Sequence, residues 1–257
     1  MKTAITIIKV GGKIVEERES LMQLLDRFAA IEGKKVLIHG GGRSATKIAE
    51  KLGIESRMID GRRVTDEATP GVVTMVYGVL VNKNIVAGLQ ARGVNALGLT
   101  GADCNVIHAH KRPVKDIDWG FVGDVDGADG KMLSALIEQG IVPVVAPLTH
   151  DCNGNMLNIN ADTMAAETAK ALAPYYDVTL TYCFEFPGVM LDPEDATSVI
   201  PEIRTDDYRK LIEDGIVTGG MIPKIDNAFN ALDNGVTKVI INRADAIDGK
   251  NGTHIML

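Results

Sequence analysis

Short runs rich in β-branched and other apolar residues alternate with segments of helical periodicity along most of this chain of 257 residues. The run AITIIKV at 4–10 precedes a helical pattern over 18–31, and KKVLIH at 34–39 precedes another over 43–53. Parallel strands need a crossover segment between them, and that segment is usually a helix. The alternation therefore predicts an α/β protein with helical layers around a largely parallel sheet.

The same alternation continues toward the C-terminus with one interruption. Residues 104–129 alternate in polarity and are rich in Gly, Asp and Pro, which predicts antiparallel hairpins laid over the main sheet. We predict a helix over 161–173, ended by Pro174, as a hinge between a larger first lobe and a smaller second one. The remaining predicted elements are helices over 69–93, 131–140, 205–215 and 220–235, and strands over 95–101, 141–148, 177–183 and 237–242.

The composition argues against several classes of protein. The net charge of −7 at pH 7 disfavours a general nucleic-acid or membrane-surface binder, so we expect neither as a partner. Lys9 breaks the apolar start, which is therefore not a signal peptide, and later apolar runs are too short to span a bilayer. Because Cys104, Cys152 and Cys183 form no CxxC pair, neither a disulfide framework nor a zinc site is favoured. We expect a cytoplasmic protein.

Lys9 stands inside an apolar run that ends in Gly11 and Gly12. An unpaired ammonium group is costly to bury, and a glycine pair marks a tight turn or a backbone brought close to something. Together they indicate a strand whose C-terminal end presents a positive charge and several backbone N–H groups to an anion. The alternative is a lysine at the strand edge followed by a flexible turn, and this stretch alone leaves it open.

A second glycine loop, IHGGGRSA, follows a predicted strand and opens a predicted helix. Its Gly40, Gly42 and Ala45 match G-x-G-x-x-A, the dinucleotide-binding fingerprint, which raises the hypothesis of an oxidoreductase. A loop of this kind captures an anion through its N–H groups and the helix N-terminus, whichever anion that is. The motifs of α/β-hydrolases, Walker-type NTPases and protein kinases do not occur in the sequence.

Two further segments carry polar side chains suited to an anionic substrate. DGRRVTD places Arg62 and Arg63 in a turn-like segment, and arginine suits bidentate binding of a carboxylate. LNINAD places Asn158, Asn160 and Asp162 just before a helix. The alternatives are a solvated basic turn for the first segment and a helix N-cap at Asp162 for the second.

A last glycine pair, Gly219 and Gly220, precedes Lys224 at the start of a predicted helix, unless it only separates two helices. Two lysines, an aspartate able to hold them and two glycine loops suit phosphoryl transfer, which needs positioning and charge neutralisation more than covalent chemistry. If the acceptor is a carboxylate with a pKa near ~4.3, it is already ionised at pH 7 and needs no catalytic base.

Taken in order, these motifs resemble those of the amino-acid kinase family, from IIKVGG through IHGGG, DGRRVTD, GFVGDV and LNINAD to GIVTGGMIPK. Within the family, the set is most similar to kinases that act on an acylated glutamate. The resemblance implies a three-layer α/β/α sandwich in two lobes. Residues 1–172 would bind the acylated amino acid and form a dimer contact, and residues 173–257 would bind the nucleotide. It also implies ATP and Mg²⁺ as cofactors, no metal site of the protein's own, a homodimer, and an acyl phosphate product used in arginine biosynthesis.

The resemblance also implies roles for individual residues. Lys9 and Lys224 are expected to stabilise the charge on the transferring phosphoryl group, with Asp162 orienting both. Arg63 is expected at the α-carboxylate of the acceptor. The residues expected at the acylated amino acid are Gly41, Gly42, Arg63 and Asn158, and those expected at the nucleotide are Gly11, Gly12, Glu185, Ile216, Val217 and Thr218.

The sequence departs from the family pattern at several positions. CFEFPGV places Glu185 where relatives have an aspartate, between two added phenylalanines. Arg62 stands where relatives have an apolar residue, so we hypothesise that it meets a second carboxylate, which N-succinylglutamate would supply in place of N-acetylglutamate. A surface arginine is the alternative. The segment before the final strand is short and the chain starts at its first strand, so we expect a homodimer without arginine feedback.

Other functions remain open at this stage. The sequence also fits another carboxylate or carbamate kinase of the same fold, or a non-catalytic sensor that keeps ligand binding. The joint presence of Lys9, Asp162 and Lys224 argues against the sensor, because binding alone does not need all three. The oxidoreductase ranks last because it leaves Lys224 unexplained. We therefore predict an ATP-dependent kinase for the γ-carboxylate of an N-acyl-L-glutamate.

Overall fold

The computed structural model describes residues 2–59, 61–247, 249 and 251–257, and in them strands and helices alternate as the sequence predicts. The strands are β1 Thr3–Val10, β2 Lys34–His39, β3 Met58–Ile59, β4 Arg62–Arg63, β5 Ala96–Leu99, β6 Ile107–Lys111, β7 Gly123–Ala128, β8 Val142–Val145, β9 Leu148–His150, β10 Met156–Asn158, β11 Tyr176–Phe184, β12 Glu202–Arg204, β13 Lys238–Arg243 and β14 Thr253–Met256. The helices are α1 Gly12–Glu16, α2 Arg18–Ala30, α3 Gly42–Lys51, α4 Thr69–Val73, α5 Asn82–Gln90, α6 Gly130–Glu138, α7 Ala161–Leu172, α8 Thr205–Glu213 and α9 Ile222–Asp233.

The described residues form a main sheet of eight strands in the order β12-β14-β13-β11-β1-β2-β8-β5. Neighbouring strands are parallel except β13 and β14, which are antiparallel. The prediction of a largely parallel sheet is confirmed. Because β1 and β2 are parallel neighbours, the glycine loops that follow them lie side by side at the carboxyl edge, where ligands bind in sheets of this kind.

Helices cover both faces of the main sheet. Since side chains alternate along a strand, Ile7 of β1 packs with α6, α7 and α9 on one face, whereas Ile8 packs with α2 and α3 on the other. Both isoleucines are fully buried. The predicted three-layer sandwich is confirmed.

A smaller sheet in the order β10-β9-β6-β7 packs on the same face as α7. Its antiparallel β6–β7 pair confirms the hairpin predicted within 104–129. The short strands β9 and β10, which were not predicted as separate elements, complete this sheet. Ile107 and Leu157 anchor the small sheet in the core, which brings Asn158 at the end of β10 toward the second glycine loop.

Helices α4 and α5 belong to one continuous helix, Thr69–Gln90, whose middle segment Thr74–Val81 is π-helical. The helix itself was predicted, but the π segment was not. Within the described part of the chain it is the one helix long and apolar enough to cross a membrane. Val72 and Ile85 on its inner side are buried in the core against the second face of the sheet. Core helices of globular proteins can be equally long and apolar.

The predicted boundary between residues 1–172 and 173–257 falls at the end of α7. Strand β1 from the first range pairs along its whole length with β11 from the second. Both ranges therefore contribute to one continuous sheet, and their separate roles stay a prediction.

Candidate active site

A buried carboxylate lies between two lysines at the carboxyl edge of the main sheet. Lys9 Nζ is 2.7 Å from Asp162 Oδ1, and Lys224 Nζ is 3.0 Å from Asp162 Oδ2. The side chains of Lys9 and Asp162 are 8% and 9% exposed, and that of Lys224 is 22% exposed. They come from the end of β1 and the first turns of α7 and α9. The fold thus brings together three residues from distant parts of the sequence.

The charge state of Asp162 follows from this arrangement. Burial alone raises its pKa most strongly, but the charges and hydrogen bonds of Lys9 and Lys224 outweigh burial and lower the pKa to about 2. Asp162 is therefore ionised at neutral pH. Asn160 caps α7, since its Oδ1 accepts from the backbone N–H groups of Asp162 and Thr163 at 2.8 and 3.2 Å. The alternative that Asp162 serves only as an N-cap is wrong.

The two glycine loops pack against each other backbone to backbone. A Cβ on Gly40 would lie 3.0 Å from the backbone nitrogen of Gly12, and one on Gly12 would lie 3.5 Å from that of Gly42. The N–H of Gly40 also donates to the carbonyl of Val10 at 2.9 Å. The distance at Gly40 is tighter than an ordinary Cβ contact, so a larger residue there would push on the first loop, whereas the distance at Gly12 is an ordinary van der Waals contact. As a result, backbone N–H groups from both loops gather at one place, where they suit the oxygens of an anion.

His39, which was not predicted as a site residue, supports the second glycine loop from behind. Its Nδ1–H donates to the carbonyl of Gly40 at 2.8 Å, and its Nε2 accepts from Asn82 Nδ2 at 3.1 Å. Complete burial lowers the pKa of His39 to about 4, and the hydrogen bond to Gly40 opposes this only in part. The ring is therefore neutral, which matches one nitrogen donating and the other accepting.

Tyr77 packs directly on Gly41 from the π-helical segment. A Cβ on Gly41 would lie 2.8 Å from ring atom Cδ1 of Tyr77, so only glycine leaves room for the ring. Tyr77 and Asn82 are five residues apart, and the i→i+5 bonding of a π-helix places such residues on one side. Tyr77 therefore packs on Gly41 directly, and Asn82 supports the same loop through its hydrogen bond to His39.

Arg63 is buried and held by three hydrogen bonds. Its Nη1 donates to Ser56 Oγ, and its Nη2 donates to the carbonyl of Gly42 and to Thr46 Oγ1, each at 2.7 Å. Its Nε–H is also buried and has no acceptor among the described residues. An unsatisfied buried donor costs about 1–3 kcal/mol. This N–H is therefore available to an acceptor that a ligand brings.

A cavity of about 170 Å³ opens beside Arg63 and the second glycine loop. Asn158 and Arg62, two of the residues predicted to bind the substrate, line it, and their contact with a substrate stays a prediction. Asn158 Nδ2 donates to Thr65 Oγ1 at 2.9 Å. Arg112 lines the cavity too and was not predicted. It carries an ion pair with Asp124 at 2.6 Å. The cavity thus has an unusual concentration of guanidinium groups.

The residues predicted to bind a nucleotide fall in two places. Gly11, Gly12 and Glu185 line a second cavity of about 460 Å³ that adjoins the first. Residues 216–218 lie between α8 and the turn that leads into α9. The side chain of Val217 is buried in the core, and within the described chain these three residues line neither cavity. Their contact with a nucleotide stays a prediction.

The chemistry of the site suits phosphate oxygens rather than a bare metal ion. The described residues include no group of three or more His, Cys, Asp or Glu side chains arranged to hold a metal. What they offer instead is ammonium and guanidinium groups and loop N–H groups. A magnesium ion bound to a nucleotide keeps phosphate oxygens and water as most of its ligands. The residues present therefore fit a nucleotide–Mg²⁺ complex.

An α/β sandwich with two facing glycine loops and a buried Lys–Asp–Lys cluster is an anion-binding architecture suited to phosphoryl transfer. The sequence profile of the Amino acid kinase family matches residues 4–242, and the chain belongs to this family. It is 64% identical over 255 residues to the acetylglutamate kinase of Bacteroides thetaiotaomicron, covering 99% of both sequences. The acetylglutamate kinase of Cytophaga hutchinsonii is 54% identical over 242 residues, which is 94% of this chain and 92% of that protein.

The fold is shared with a solved structure. The protein smu.665 from Streptococcus mutans UA159 superposes with a TM-score of 0.82 at 29% identity, covering 98% of both chains. The family and the fold that the ordered motifs predicted are confirmed.

Proposed function

We propose that this chain is an ATP-dependent kinase that phosphorylates the γ-carboxylate of N-acetyl-L-glutamate, giving an acyl phosphate for arginine biosynthesis. The observation that carries the proposal is the buried Asp162 that binds both Lys9 and Lys224 beside two packed glycine loops. Full-length similarity to acetylglutamate kinases supports the choice of acceptor.

The reaction joins two anions, and their repulsion is the main obstacle. A carboxylate oxygen of the acceptor forms a bond to the γ-phosphorus of ATP while the bond to the ADP oxygen breaks. The acceptor is already ionised at neutral pH, so no residue has to remove a proton. Lys9 and Lys224 offset the negative charge in a site largely shielded from water, where such charges act strongly. Asp162 holds both ammonium groups in position.

The acylated amino acid binds in the cavity beside Arg63. The Nε–H of Arg63 and the amide of Asn158 bind its α-carboxylate, and the backbone N–H groups of Gly41 and Gly42 bind near the reacting end. Bonds from the guanidinium to Ser56, Gly42 and Thr46 fix its orientation before the substrate arrives, which lowers the entropic cost of binding.

ATP binds across Gly11 and Gly12 and the second lobe, residues 173–257, where Ile216, Val217 and Thr218 border it. Residues 1–172 hold the acceptor. Mg²⁺, bound mainly by phosphate oxygens and water, neutralises part of the phosphate charge. The close packing of Gly12 on the second glycine loop supports this arrangement because both substrates then meet at the same backbone N–H groups.

The identity of the acyl group depends on the cavity wall that Arg62 and Arg112 line. With Arg63 assigned to the α-carboxylate, Arg62 suits a second carboxylate, which an N-succinyl group carries and an N-acetyl group lacks. Arg62→Leu should lower kcat/KM for N-succinyl-L-glutamate by about tenfold or more while sparing the acetyl substrate. Equal effects on both substrates would show that Arg62 makes no such contact.

We also propose that the protein works as a cytoplasmic homodimer. The helix Thr69–Gln90 exposes Met75, Val79 and Leu80, at 52%, 59% and 47%. Neighbouring exposed apolar side chains of this kind mark interaction surfaces. The first lobe would supply this contact through both copies of the helix.

The test is ADP release from purified protein with ATP, Mg²⁺ and either N-acetyl- or N-succinyl-L-glutamate, with hydroxylamine added to trap an acyl phosphate as hydroxamate. We expect hydroxamate with at least one substrate, and about 10²–10³-fold slower formation by Asp162→Asn prepared in parallel, which excludes a contaminating kinase. No hydroxamate with either substrate, despite measurable ATP binding, would overturn the proposal. It would favour another carboxylate or carbamate acceptor, or a ligand sensor.

A further inference from the structure

Two cations directly follow the glycine loops in sequence, and both lie beside one carboxylate. Lys13 follows Gly12, and Arg43 follows Gly42. Glu185, just beyond β11, accepts from Lys13 Nζ at 3.0 Å through Oε2, and its Oε1 lies 3.6 Å from Arg43 Nη2. The three side chains are between 39% and 60% exposed. Each contact is therefore screened by solvent and easily exchanged.

These three side chains line the 460 Å³ cavity together with the first glycine loop. Among the described residues that line it, Lys13, Arg43 and Arg63 are positively charged, and Glu185 is the carboxylate. The cavity therefore keeps an excess of positive charge next to loop N–H groups even with Glu185 in place. Such an environment favours an anion with several charged oxygens over a single carboxylate.

We propose that Lys13 and Arg43 bind phosphate oxygens of the nucleotide, and that Glu185 occupies both cations until the nucleotide displaces it. This inference rests on the proposed kinase function. The two oxygens of Glu185 stand where two phosphate oxygens would bind, so the carboxylate acts as an internal competitor. A diphosphate or triphosphate displaces it because it carries more charge and also binds the loop N–H groups.

The exchange has a low cost at every step. Glu185 is already partly hydrated, so releasing it to solvent requires little further solvation. Lys13 and Arg43 move from one anion to another and never face the cavity unpaired. The alternative, in which Glu185 itself contacts the nucleotide, brings like charges together, and the two possibilities predict opposite effects of removing the carboxylate.

Calorimetric titration of the intact protein with ADP and Mg²⁺, without acceptor, measures the step directly. Glu185→Gln keeps the size of the side chain and removes its charge, and we expect the Kd for ADP to fall about two- to fivefold. Lys13→Met and Arg43→Met should each raise it about tenfold or more. In Glu185→Gln combined with Lys13→Met, most of the gain from Glu185→Gln should disappear, because Glu185 then has only Arg43 to occupy.

A matched control is Glu202→Gln on β12. The side chain of Glu202 is 40% exposed, nearly the same fraction as that of Glu185, which is 39% exposed. Glu202 also forms an ion pair with Arg204 on the same strand. It should leave the Kd unchanged, which separates a local effect from a change in net charge. Because the titration measures binding of ADP, its outcome does not depend on the acceptor. ADP binding without hydroxamate formation would contradict the proposed function, but the Kd values of the variants would still test the roles of Lys13, Arg43 and Glu185.

Three results would overturn the inference. Weaker ADP binding in Glu185→Gln would identify Glu185 as a direct ligand. An unchanged Kd in Lys13→Met and Arg43→Met would show that neither cation binds phosphate. No ADP binding by the unmodified protein would contradict both the exchange and the kinase itself.

Discussion

The carboxylate of Asp162 lies 2.7 Å from the ammonium group of Lys9, across the junction between α7 and β1. Both side chains are nearly inaccessible to solvent. A buried ion pair contributes little net stability because the cost of desolvation offsets much of the attraction. Its value here is positional: it fixes an ammonium group at the end of a strand, and the second oxygen of Asp162 fixes another at the start of α9.

Asp162→Asn should lower kcat by about 10²–10³-fold, because neither lysine is then held where charge develops. The free energy of unfolding should also fall by about 3 kcal/mol, since the buried Lys9 and the partly buried Lys224 lose their partner. Hydroxamate formation and urea unfolding measure the two effects. Asp226→Asn, on the same helix as Lys224 and bonded to Tyr208, is the control that should keep its rate. A rate for Asp162→Asn within a few-fold of the unmodified protein would contradict the assigned role.

His39 predicts a loss of stability on mild acidification. Its pKa of about 4 lies below the ordinary value of 6.5, so between these values the unfolded chain binds a proton that the folded chain does not. The neutral His39 ring therefore contributes about 3 kcal/mol to the free energy of unfolding above about pH 6.5, and this contribution is lost as the pH falls toward 4. His39→Gln should flatten this slope in urea unfolding at a series of pH values. A slope in His39→Gln equal to that of the unmodified protein would exclude His39 as the cause.

Gly41→Ala and Gly42→Ala should differ in stability despite being neighbours. The new Cβ at position 41 would lie 2.8 Å from the buried ring of Tyr77, whereas at position 42 the nearest such atom is the Tyr77 hydroxyl at 4.0 Å. Overpacking at Gly41 should cost about 1–3 kcal/mol in thermal or urea unfolding. Gly42→Ala should remain as stable as the unmodified protein but raise KM for the acceptor, because its methyl enters the cavity. Similar stability losses in the two would contradict this picture of the loop.

Arg63→Lys should raise KM for the acceptor about tenfold or more with a smaller effect on kcat. A lysine keeps the charge but cannot reach Ser56, Gly42 and Thr46 while presenting a further N–H to the substrate. An interaction made equally in the ground and transition states appears mainly in KM. Steady-state kinetics with Arg57→Lys, at a nearby exposed arginine, provides the comparison. A fall in kcat with unchanged KM would move Arg63 from substrate binding to the chemical step.

Val79→Arg should convert the proposed homodimer to a monomer, because it places a charge on the exposed apolar side of the helix Thr69–Gln90. Sedimentation or light scattering measures the change in mass. Leu191→Arg is the matched control, since Leu191 is 57% exposed and Val79 is 59% exposed. A mass that stays dimeric with Val79→Arg would place the contact elsewhere on the molecule.

Most of the fold and part of the site can be predicted from the sequence. Strands β1 and β2 were recognisable because β-branched runs end directly in glycine loops, and Lys9, Asp162 and Lys224 were grouped by the order of their motifs. The support behind the second loop was not recognisable. His39 ends an apolar run, and Tyr77 lies in the apolar segment TMVYGVLV. That segment has no helical or strand periodicity that would set Tyr77 apart from its buried neighbours.

Other features depend on contacts between distant segments. Strands β9 and β10 are three residues each and exist because β10 pairs with β9 and β9 pairs with β6. Arg112 reaches the cavity only because the β6–β7 hairpin folds over it. Asn and Asp are both common N-cap residues, so the sequence does not distinguish Asn160 from Asp162. In the structure Asn160 caps α7.

The π-helical segment Thr74–Val81 makes the active site sensitive to the number of residues in this helix. In a continuous α-helix, residues five apart such as Tyr77 and Asn82 would point about 140° away from each other. Deleting one residue from the segment would restore ordinary helical geometry and turn either Tyr77 away from Gly41 or Asn82 away from His39. An insertion or deletion in this segment should therefore impair activity as much as a substitution of a substrate-binding residue. This should hold even at positions whose side chains face solvent.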